Sequence, residues 1–427
     1  MTIADPFKPT VKRQEHRMPR FNAYSRPQPG EMAELETLAA ELVNRRFNQW
    51  GYPFDQDVAM EAYNRWLADT GLADITLINV GDPWKEDWDM LSSDVIERRV
   101  LDFWAGRYGF ENNHWGVITN GGTDGNMHGL YFGRKVLEAE TGKAPILYVS
   151  EEAHYSVKKL ADIQNIDECV VRAVPTGQMD TADLEAKLDP SRPALIAVAV
   201  GGTFKSAVDD QEAINDVVER LRPCAVYRHV DMALMGGYLP FLDDPDARAI
   251  VDVRKMRFDS LAVSGHKFIA LNEPCGVFLC RREVLERTRS APIPYLADTV
   301  IPTISCSRSG FAALKMYWRI LTTTEAGFRE QAEHVLAMTE YMRARLEERG
   351  VFVLVNPHAN TVCFTRPADR IVHEYALACN HSAGFGDLAH VVVMQYFTRE
   401  LIDHFIEKMT SSTGGEMSRD HGEASRG

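Results

Sequence analysis

The feature that most constrains the fold of this chain lies between Trp115 and Cys280, where short apolar runs alternate with amphipathic segments. The runs are rich in β-branched residues and read "GVITN", "PILYVS", "CVVRAVP", "ALIAVAV", "AVYRHV", "DSLAVS" and "GVFLC". Several are separated by helical patterns such as "NMHGLYFGRKVLEAE", "YSVKKLADI", "TADLEAKL" and "AINDVVERL". This alternation predicts an α/β fold in which helices cover both faces of a mostly parallel sheet.

The pattern changes from about Val300 onward. A long helical segment, "GFREQAEHVLAMTEYMRARLEERG", precedes two short strand-like runs, "VFVLV" and "NTVCFT", which favours a smaller α+β C-terminal domain. We therefore expect an N-terminal arm with helices at 1–75, a large domain at 76–300, a small domain at 301–410 and a disordered tail at 411–427.

Composition excludes several classes of partner. The formal net charge of −14 disfavours nucleic acid and anionic membranes, because both select a basic protein face. No run of about 18 apolar residues is present, and "MTIADPFKPTVKRQEHRMPR" lacks the apolar core of a secretory signal. The seven cysteines are irregularly spaced and form no CxxC pair, which indicates neither a metal site nor disulfides. We expect a cytoplasmic protein with reduced thiols.

Polar residues follow five of the predicted strands. In open α/β sheets, ligands bind beyond the carboxyl ends of the strands, and parallel strands end at the same edge. These polar residues are Gly122 and Thr123 in "GGTDGN", His154 after "LYVS", Thr203 after "IAVAV", Asp231 after "YRHV" and Lys267 after "LAVS". Their shared position predicts one site at this edge of the sheet.

Each residue taken alone also has a purely structural explanation. The segment "GGTDGN" suits a phosphate at a helix N-terminus, and a tight turn would have the same sequence. Asp231 is equally well explained as a helix cap or a structural ion pair. Taken alone, His154 is better explained as a buried histidine bonded to a carbonyl than as a ring that stacks on a planar ligand.

Lys267 favours the functional explanation. Lysine is almost never fully buried, and a desolvated lysine loses its proton readily and becomes a nucleophilic amine. An amine, a buried carboxylate, a flat imidazole and a phosphate cradle together meet the needs of pyridoxal phosphate. The lysine would bind this cofactor covalently, the carboxylate would keep its pyridine nitrogen protonated, and the imidazole would stack on its ring.

The same residues carry a resemblance to a known family. The segments "TNGGTDGNMHGLY", "YVSEEAHYSVKK", "HVDMAL", "SGHKF", "PCGV" and "TISCSRSG" resemble those of the group II pyridoxal-phosphate-dependent amino acid decarboxylases. The resemblance is closest to the branch of bacterial histidine decarboxylases and plant serine decarboxylases. It implies pyridoxal phosphate fold type I and a homodimer with the active site at its interface.

The resemblance also implies roles for individual residues. Lys267 corresponds to the cofactor lysine, Asp231 to the partner of the pyridine nitrogen, and His154 to the ring-stacking histidine. The other implied cofactor contacts are Ala233 on the opposite ring face, Gly122, Thr123, Ser264 and His266 at the phosphate, and Thr203 near a cofactor oxygen. Tyr295, in "RSAPIPYLADTV", resembles the tyrosine of the family's catalytic loop, and an aromatic anchoring a surface loop is an equal alternative.

Departures from the family pattern fall around the expected substrate pocket. They include Glu273 in "LNEPCG", Phe311 after "SRSG" and Ala359 in "HANT". Asn79 and Asp82 in "LINVGDPW" resemble a substrate-side segment, although a turn without a ligand would look the same.

The expected reaction converts an L-amino acid into a primary amine and CO₂, with histidine as the substrate nearest by resemblance. A serine, aliphatic or sulfur-containing substrate is an alternative, and Glu273 would instead favour a cationic side chain if it faces the pocket. Further alternatives are transamination, decarboxylation coupled to oxidative deamination, and a catalytically silent homologue.

Overall fold

The computed structural model describes residues 28–85, 91–288 and 301–411. The chain divides into two compact units at Arg46 and Phe47. In the first unit, helix α1 (Pro29–Arg45) buries none of its side chains. Its exposed apolar residues are Met32, Leu35, Leu38, Leu42 and Val43.

A seven-stranded sheet forms the centre of the second unit, with the order β2-β8-β7-β6-β5-β3-β4. Only β8 runs antiparallel to its neighbours, so the predicted mostly parallel sheet is confirmed. The strands are β2 (His114–Thr119), β3 (Ile146–Ser150), β4 (Asp167–Val171), β5 (Ala194–Ala199), β6 (Val226–Asp231), β7 (Ser260–Ser264) and β8 (Gly276–Arg281). Two apolar clusters lie on opposite faces of this sheet: Val117 belongs to one and Ile118 to the other, because successive strand residues point to opposite sides.

Nine helices of the second unit's described residues precede, connect or directly follow these strands. They are α2 (Glu61–Thr70), α3 (Asp94–Arg107), α4 (Gly122–Thr141), α5 (Tyr155–Ile163), α6 (Thr181–Lys187), α7 (Gln211–Leu221), α8 (Pro245–Ile250), α9 (Val253–Met256) and α10 (Arg282–Arg287). Helix α4 packs unusually closely on the sheet through Gly125, Gly129 and Gly133, which are spaced one turn apart. A Cβ at these positions would lie 2.7 Å from an Ala262 atom, 2.2 Å from His229 Nδ1 and 2.5 Å from a Leu195 atom, respectively.

The C-terminal part is helical and antiparallel. Helix α11 (Gly310–Glu347) is interrupted at Thr324, whose φ of 60° and ψ of 170° are not helical. A four-stranded sheet has the order β10-β11-β13-β12, and a separate pair joins β1 to β9 antiparallel. The remaining elements are β1 (Ile78–Val80), β9 (Ser307–Ser309), β10 (Val353–Leu354), β11 (Thr361–Thr365), α12 (Asp369–Glu374), β12 (Ala378–Ser382), β13 (Gly386–Val392) and α13 (Arg399–Ser411). The boundary between a large and a small domain stays a prediction.

No helix in the described ranges combines the length and the hydropathy that crossing a membrane requires. All seven cysteines are free thiols.

Candidate active site

The predicted polar residues lie at one edge of the central sheet. Strands β2, β3, β5, β6 and β7 all end there, because the antiparallel β8 separates β2 from β7 and leaves those two strands parallel to each other. Each strand leads into a loop or helix that carries part of the candidate site.

Lys267 follows the last residue of β7 by three positions and is half-buried. Burial lowers the pKa of its amine, and the negative charge of Asp231 opposes that shift. Its amine makes no hydrogen bond or ion pair with the described residues. Lys267 therefore presents a nucleophile with a reduced affinity for its proton.

The carboxylate of Asp231, the last residue of β6, is held by two donors. Its Oδ2 accepts a hydrogen bond from Asn126 Nδ2 at 2.7 Å, and its Oδ1 accepts one from the Ala233 backbone N–H at 3.1 Å. These bonds fix the orientation of the carboxylate beside the lysine.

His154 caps the N-terminus of α5, where its Nδ1 lies 2.7 Å from Ser156 Oγ. Burial lowers the pKa of His154, the charge of Asp231 raises it, and that of Lys267 lowers it further. The imidazole is therefore neutral near pH 7 and close enough to both charged groups to be affected by them. The structure thus brings residues 154, 231 and 267 into one site.

A narrow cradle lies at the N-terminus of α4. The Gly122 N–H donates to Ser264 Oγ at 3.1 Å. A Cβ on Gly122 would meet that oxygen at 2.8 Å and the Ala233 side chain at 3.2 Å, and a Cβ on Gly121 would lie 2.9 Å from the ring of His266. Gly121 has a φ of 112°, in the region that favours glycine. Helix N-termini attract anions, so this cradle suits a phosphate.

The remaining cofactor candidates, Thr123 and Thr203, are exposed at the same edge. Thr123 lies in the first turn of α4, and Thr203 lies in the loop after β5. Their predicted contacts with the cofactor stay predictions.

Two substrate candidates are engaged within the protein. Asn79 donates from Nδ2 to Glu97 Oε2 at 2.7 Å and accepts from the Ser93 backbone N–H at 2.8 Å. Asp82 Oδ1 accepts from the Trp84 backbone N–H at 3.0 Å and from Trp115 Nε1 at 2.9 Å. Both residues therefore stabilise the segment around β1, and their role toward a substrate stays a prediction.

The other candidates differ in their surroundings. Glu273 Oε1 lies 2.9 Å from the ammonium of Lys315, Phe311 is half-buried at the start of α11, and Ala359 is buried in a turn. Tyr295 lies outside the described residues.

Comparison with known proteins decides the family. The family described as "Pyridoxal-dependent decarboxylase conserved domain" matches residues 116–366. The chain is 34% identical to serine decarboxylase 1 of Oryza sativa subsp. japonica, over 88% of this chain and 74% of that protein. It is 32% identical to histidine decarboxylase of Acinetobacter baumannii (strain ACICU), over 92% of this chain and 98% of that protein. The chain belongs to the pyridoxal-dependent decarboxylase family.

Solved structures agree on the fold of the decarboxylase. L-Methionine decarboxylase from Streptomyces sp. 590 superimposes with a TM-score of 0.78 at 21% identity, covering 90% of this chain and 96% of that one. Glutamate decarboxylase from Lactobacillus brevis CGMCC 1306 gives 0.74 at 20% identity, covering 96% and 97%. The predicted fold type I and pyridoxal phosphate cofactor are confirmed.

The residues of the decarboxylase fit that cofactor. The glycine backbone at the start of α4 lies beside Ser264 and His266, and this groups a helix N-terminus with side-chain donors that suit a phosphate. The Lys267 amine is not committed to the described residues, and the Asp231 carboxylate, an acceptor of several bonds, uses one on each oxygen. Phosphate, aldehyde and pyridine nitrogen thus each have a chemically suitable partner at the edge.

Two pairs of residues beside the site were not predicted from the sequence. Asn126 and His229 are both buried and extend the hydrogen bonds of Asp231 inward. His229 lies two residues before Asp231 on β6, so strand periodicity places both on one face. Glu97 and Arg308 form a buried ion pair at 3.0 Å that links α3 to β9; their separation in the chain gives no local signal.

Proposed function

We propose that the decarboxylase converts a neutral L-amino acid, histidine foremost, into the corresponding primary amine and CO₂. The observation that carries the proposal is the grouping of Lys267, Asp231 and His154 at one sheet edge beside the glycine cradle. In this scheme Lys267 binds the cofactor covalently and Asp231 pairs with its pyridine nitrogen. His154 stacks on one ring face and Ala233 packs on the other.

The contacts with the cofactor in this proposal come from three segments. At the phosphate, Gly122 and Thr123 contribute from the start of α4, while Ser264 contributes from the last position of β7 and His266 from the turn that follows it. Thr203 approaches a cofactor oxygen from the loop after β5. Gly122 and Ser264 already bond to each other at 3.1 Å, which supports their shared task.

When bound, pyridoxal phosphate supplies an electron sink that accepts the electron pair released as CO₂ departs. The protein's part is electrostatic and geometric. The Asp231 carboxylate favours a positive charge on the pyridine nitrogen, and the lowered pKa of Lys267 provides an amine that is readily neutral.

The proton that replaces the carboxylate needs a donor, for which we propose Tyr295, with His154 as the alternative. General acids of this kind contribute about 10²–10⁴-fold. We expect Tyr295→Phe to slow amine formation by that order while leaving the cofactor spectrum unchanged. Amine formation at the wild-type rate would assign the proton to another group.

The proposal of a neutral substrate rests on the charges of the substrate candidates. The ammonium of Lys315 neutralises Glu273, and Asp82 is occupied by two N–H donors. Phe311 and Ala359 carry no charge. Of these five positions, Asn79 included, the two charged ones already have partners within the protein, so we expect a substrate side chain that is uncharged. Histidine, serine and methionine meet this condition, and histidine and serine decarboxylases are the sequence relatives.

The decisive experiment incubates the purified holoenzyme with each of the twenty L-amino acids and measures CO₂, amine, aldehyde, ammonia and keto acid. Amine and CO₂ in equal amounts from histidine, well above those from lysine or glutamate, would support the proposal. An aldehyde with ammonia would replace it with oxidative deamination, and a keto acid with transamination. A complete absence of products would favour a silent homologue.

A second experiment tests the lysine. Lys267→Ala should remove the absorbance band of the covalently attached cofactor. Lys205→Met is the matched control, because Lys205 is another lysine with little exposure but is paired with Glu152 at 2.7 Å. Retention of covalent cofactor by Lys267→Ala, or its loss from Lys205→Met alone, would refute the assignment of Lys267.

We also propose a homodimer with the active site at its interface, in the cytoplasm. The exposed apolar residues of α1 support the dimer, because Leu35, Leu38 and Leu42 share one helix face that is costly to leave in water. Leu38→Lys with Leu42→Lys should shift the mass in light scattering to that of one chain. Thr37→Lys, on the opposite face, should leave it unchanged. A wild-type mass of one chain would refute the dimer.

A further inference from the structure

A chain of hydrogen bonds extends from the candidate site into the core. The Asn126 side chain donates to Asp231 Oδ2 at 2.7 Å. Its Oδ1 lies 3.0 Å from His229 Nε2, and His229 Nδ1 lies 2.8 Å from Ser260 Oγ. Asn126, His229 and Ser260 are each at most 1% exposed, so water does not compete for these bonds.

The direction of every bond in this chain is determined. A carboxylate only accepts, so Asn126 must donate to Asp231 through Nδ2. Its Oδ1 must then accept, which places the proton of His229 on Nε2. The Nδ1 atom of His229 is therefore an acceptor, and the Ser260 hydroxyl donates to it. Burial lowers the pKa of His229 to about 4, which agrees with a neutral ring that carries one proton.

The fold reserves space for this ring. A Cβ on Gly129 would lie 2.2 Å from His229 Nδ1, so α4 has no side chain where the imidazole packs. The helix therefore approaches β6 closely enough for Asn126, one turn before Gly129, to reach both His229 and Asp231.

We propose that Ser260, His229 and Asn126 form a positioning relay that orients the Asp231 carboxylate toward the pyridine nitrogen of the cofactor. The proposal rests on the assignment of Asp231 in the proposed function. None of the three residues touches the reacting atoms. Their effect reaches the cofactor through Asp231, because hydrogen bonds to a carboxylate favour its charged form and fix its direction.

The test measures cofactor binding in the absence of substrate. Purified protein freed of cofactor is titrated with pyridoxal phosphate, and the absorbance band of the bound cofactor is then followed against pH. His229→Leu removes the donor to Asn126, whereas His229→Gln retains an N–H group at a similar distance. Loss of a charge-assisted network should weaken binding by about 10- to 100-fold.

We expect His229→Leu to show this loss together with a shifted pH midpoint of the absorbance band, and His229→Gln to bind within about threefold of wild type. His390→Leu is the control, because His390 is also buried but bonds to the carbonyls of Phe204 and Gly51. Unchanged binding by His229→Leu would overturn the relay. Equal losses in the leucine and glutamine variants would also overturn it, since they would indicate packing rather than hydrogen bonding.

A smaller variant gives an answer if His229→Leu does not fold. Ser260→Ala removes one hydroxyl and frees the imidazole to change its tautomer, so binding should weaken by about threefold or more. Binding equal to wild type would refute the relay. Because no amino acid is added, an error in the proposed substrate leaves this result unaffected. A wrong cofactor lysine would instead appear as unchanged covalent attachment in Lys267→Ala.

Discussion

The buried ion pair between Glu97 and Arg308 gives the sharpest stability prediction. Arg308 Nη2 lies 3.0 Å from Glu97 Oε2. At that distance, and at an effective dielectric constant of about 20, the attraction is about 5 kcal/mol. Glu97 also accepts hydrogen bonds from the Ile118 backbone N–H at 2.8 Å and from Asn79 Nδ2 at 2.7 Å. Arg308→Met therefore leaves a buried charge without its cation, and we expect the free energy of unfolding to fall by about 3–5 kcal/mol.

The measurement is urea unfolding of a double-mutant cycle made from Glu97→Gln and Arg308→Met. The double variant should lose about 2 kcal/mol less than the sum of the single variants, because it buries no unpaired charge. Glu219→Gln and Arg257→Met supply the control. Their pair lies 2.6 Å apart on the surface and should contribute less than about 1 kcal/mol. A loss below about 1 kcal/mol for Arg308→Met, or strict additivity, would refute this reasoning.

Three further predictions concern separate parts of the molecule. Gly122→Ala places a Cβ 2.8 Å from Ser264 Oγ and 3.2 Å from the Ala233 side chain, so it should weaken pyridoxal phosphate binding at least about tenfold in a titration. Gly106→Ala is the control, because its Cβ would have open space around it, and it should leave binding intact. Burial raises the pKa of Asp209 to about 6. The protonated carboxyl therefore contributes fully to the free energy of unfolding below about pH 4, and this contribution is lost as the pH rises through 6. The unfolding free energies of wild type and Asp209→Asn should diverge by about 3 kcal/mol between pH 4 and 7. Thr324→Gly relieves a strained backbone at φ 60° and should raise the melting temperature. Thr323→Gly, within a helix, is the control and should lower the melting temperature by the equivalent of about 1 kcal/mol. The opposite order would show that Thr324 is unstrained.

Local patterns were sufficient to predict the central sheet. All seven apolar runs between Trp115 and Cys280 became strands of one sheet, because their alternation with helices reflects burial on both faces. The C-terminal strands were harder to predict. Strands β12 and β13 carry polar or exposed residues at several positions, and the run "VFVLV" forms only the two-residue β10. The break in α11 at Thr324 has no proline or glycine at the residue itself to indicate it.

The candidate site could be predicted where it follows strand ends, and not where it depends on distant pairings. Lys267, Asp231 and His154 each follow a predicted strand, so the rule for parallel sheets was enough to group them. Asn79 has a recognisable motif, yet its amide bonds to Glu97, a partner that only the folded chain reveals. His229 has the sequence pattern of an ordinary core residue, because its proposed role depends on Asn126 from another element.

The glycines on the sheet-facing side of α4 have a wider consequence. Gly133 is about 16 Å along the helix from Gly122, at 1.5 Å per residue. Both residues nevertheless belong to the same helix, which packs against the strands. A methyl group at Gly133 would clash with Leu195 and Tyr227 and push α4 away from the sheet, which would also displace its N-terminal end, where we propose that the phosphate binds. Substitutions far from the cofactor site can thus weaken the affinity for pyridoxal phosphate. Attempts to redesign the pocket should therefore leave the buried contact between the α4 glycines and the sheet unchanged.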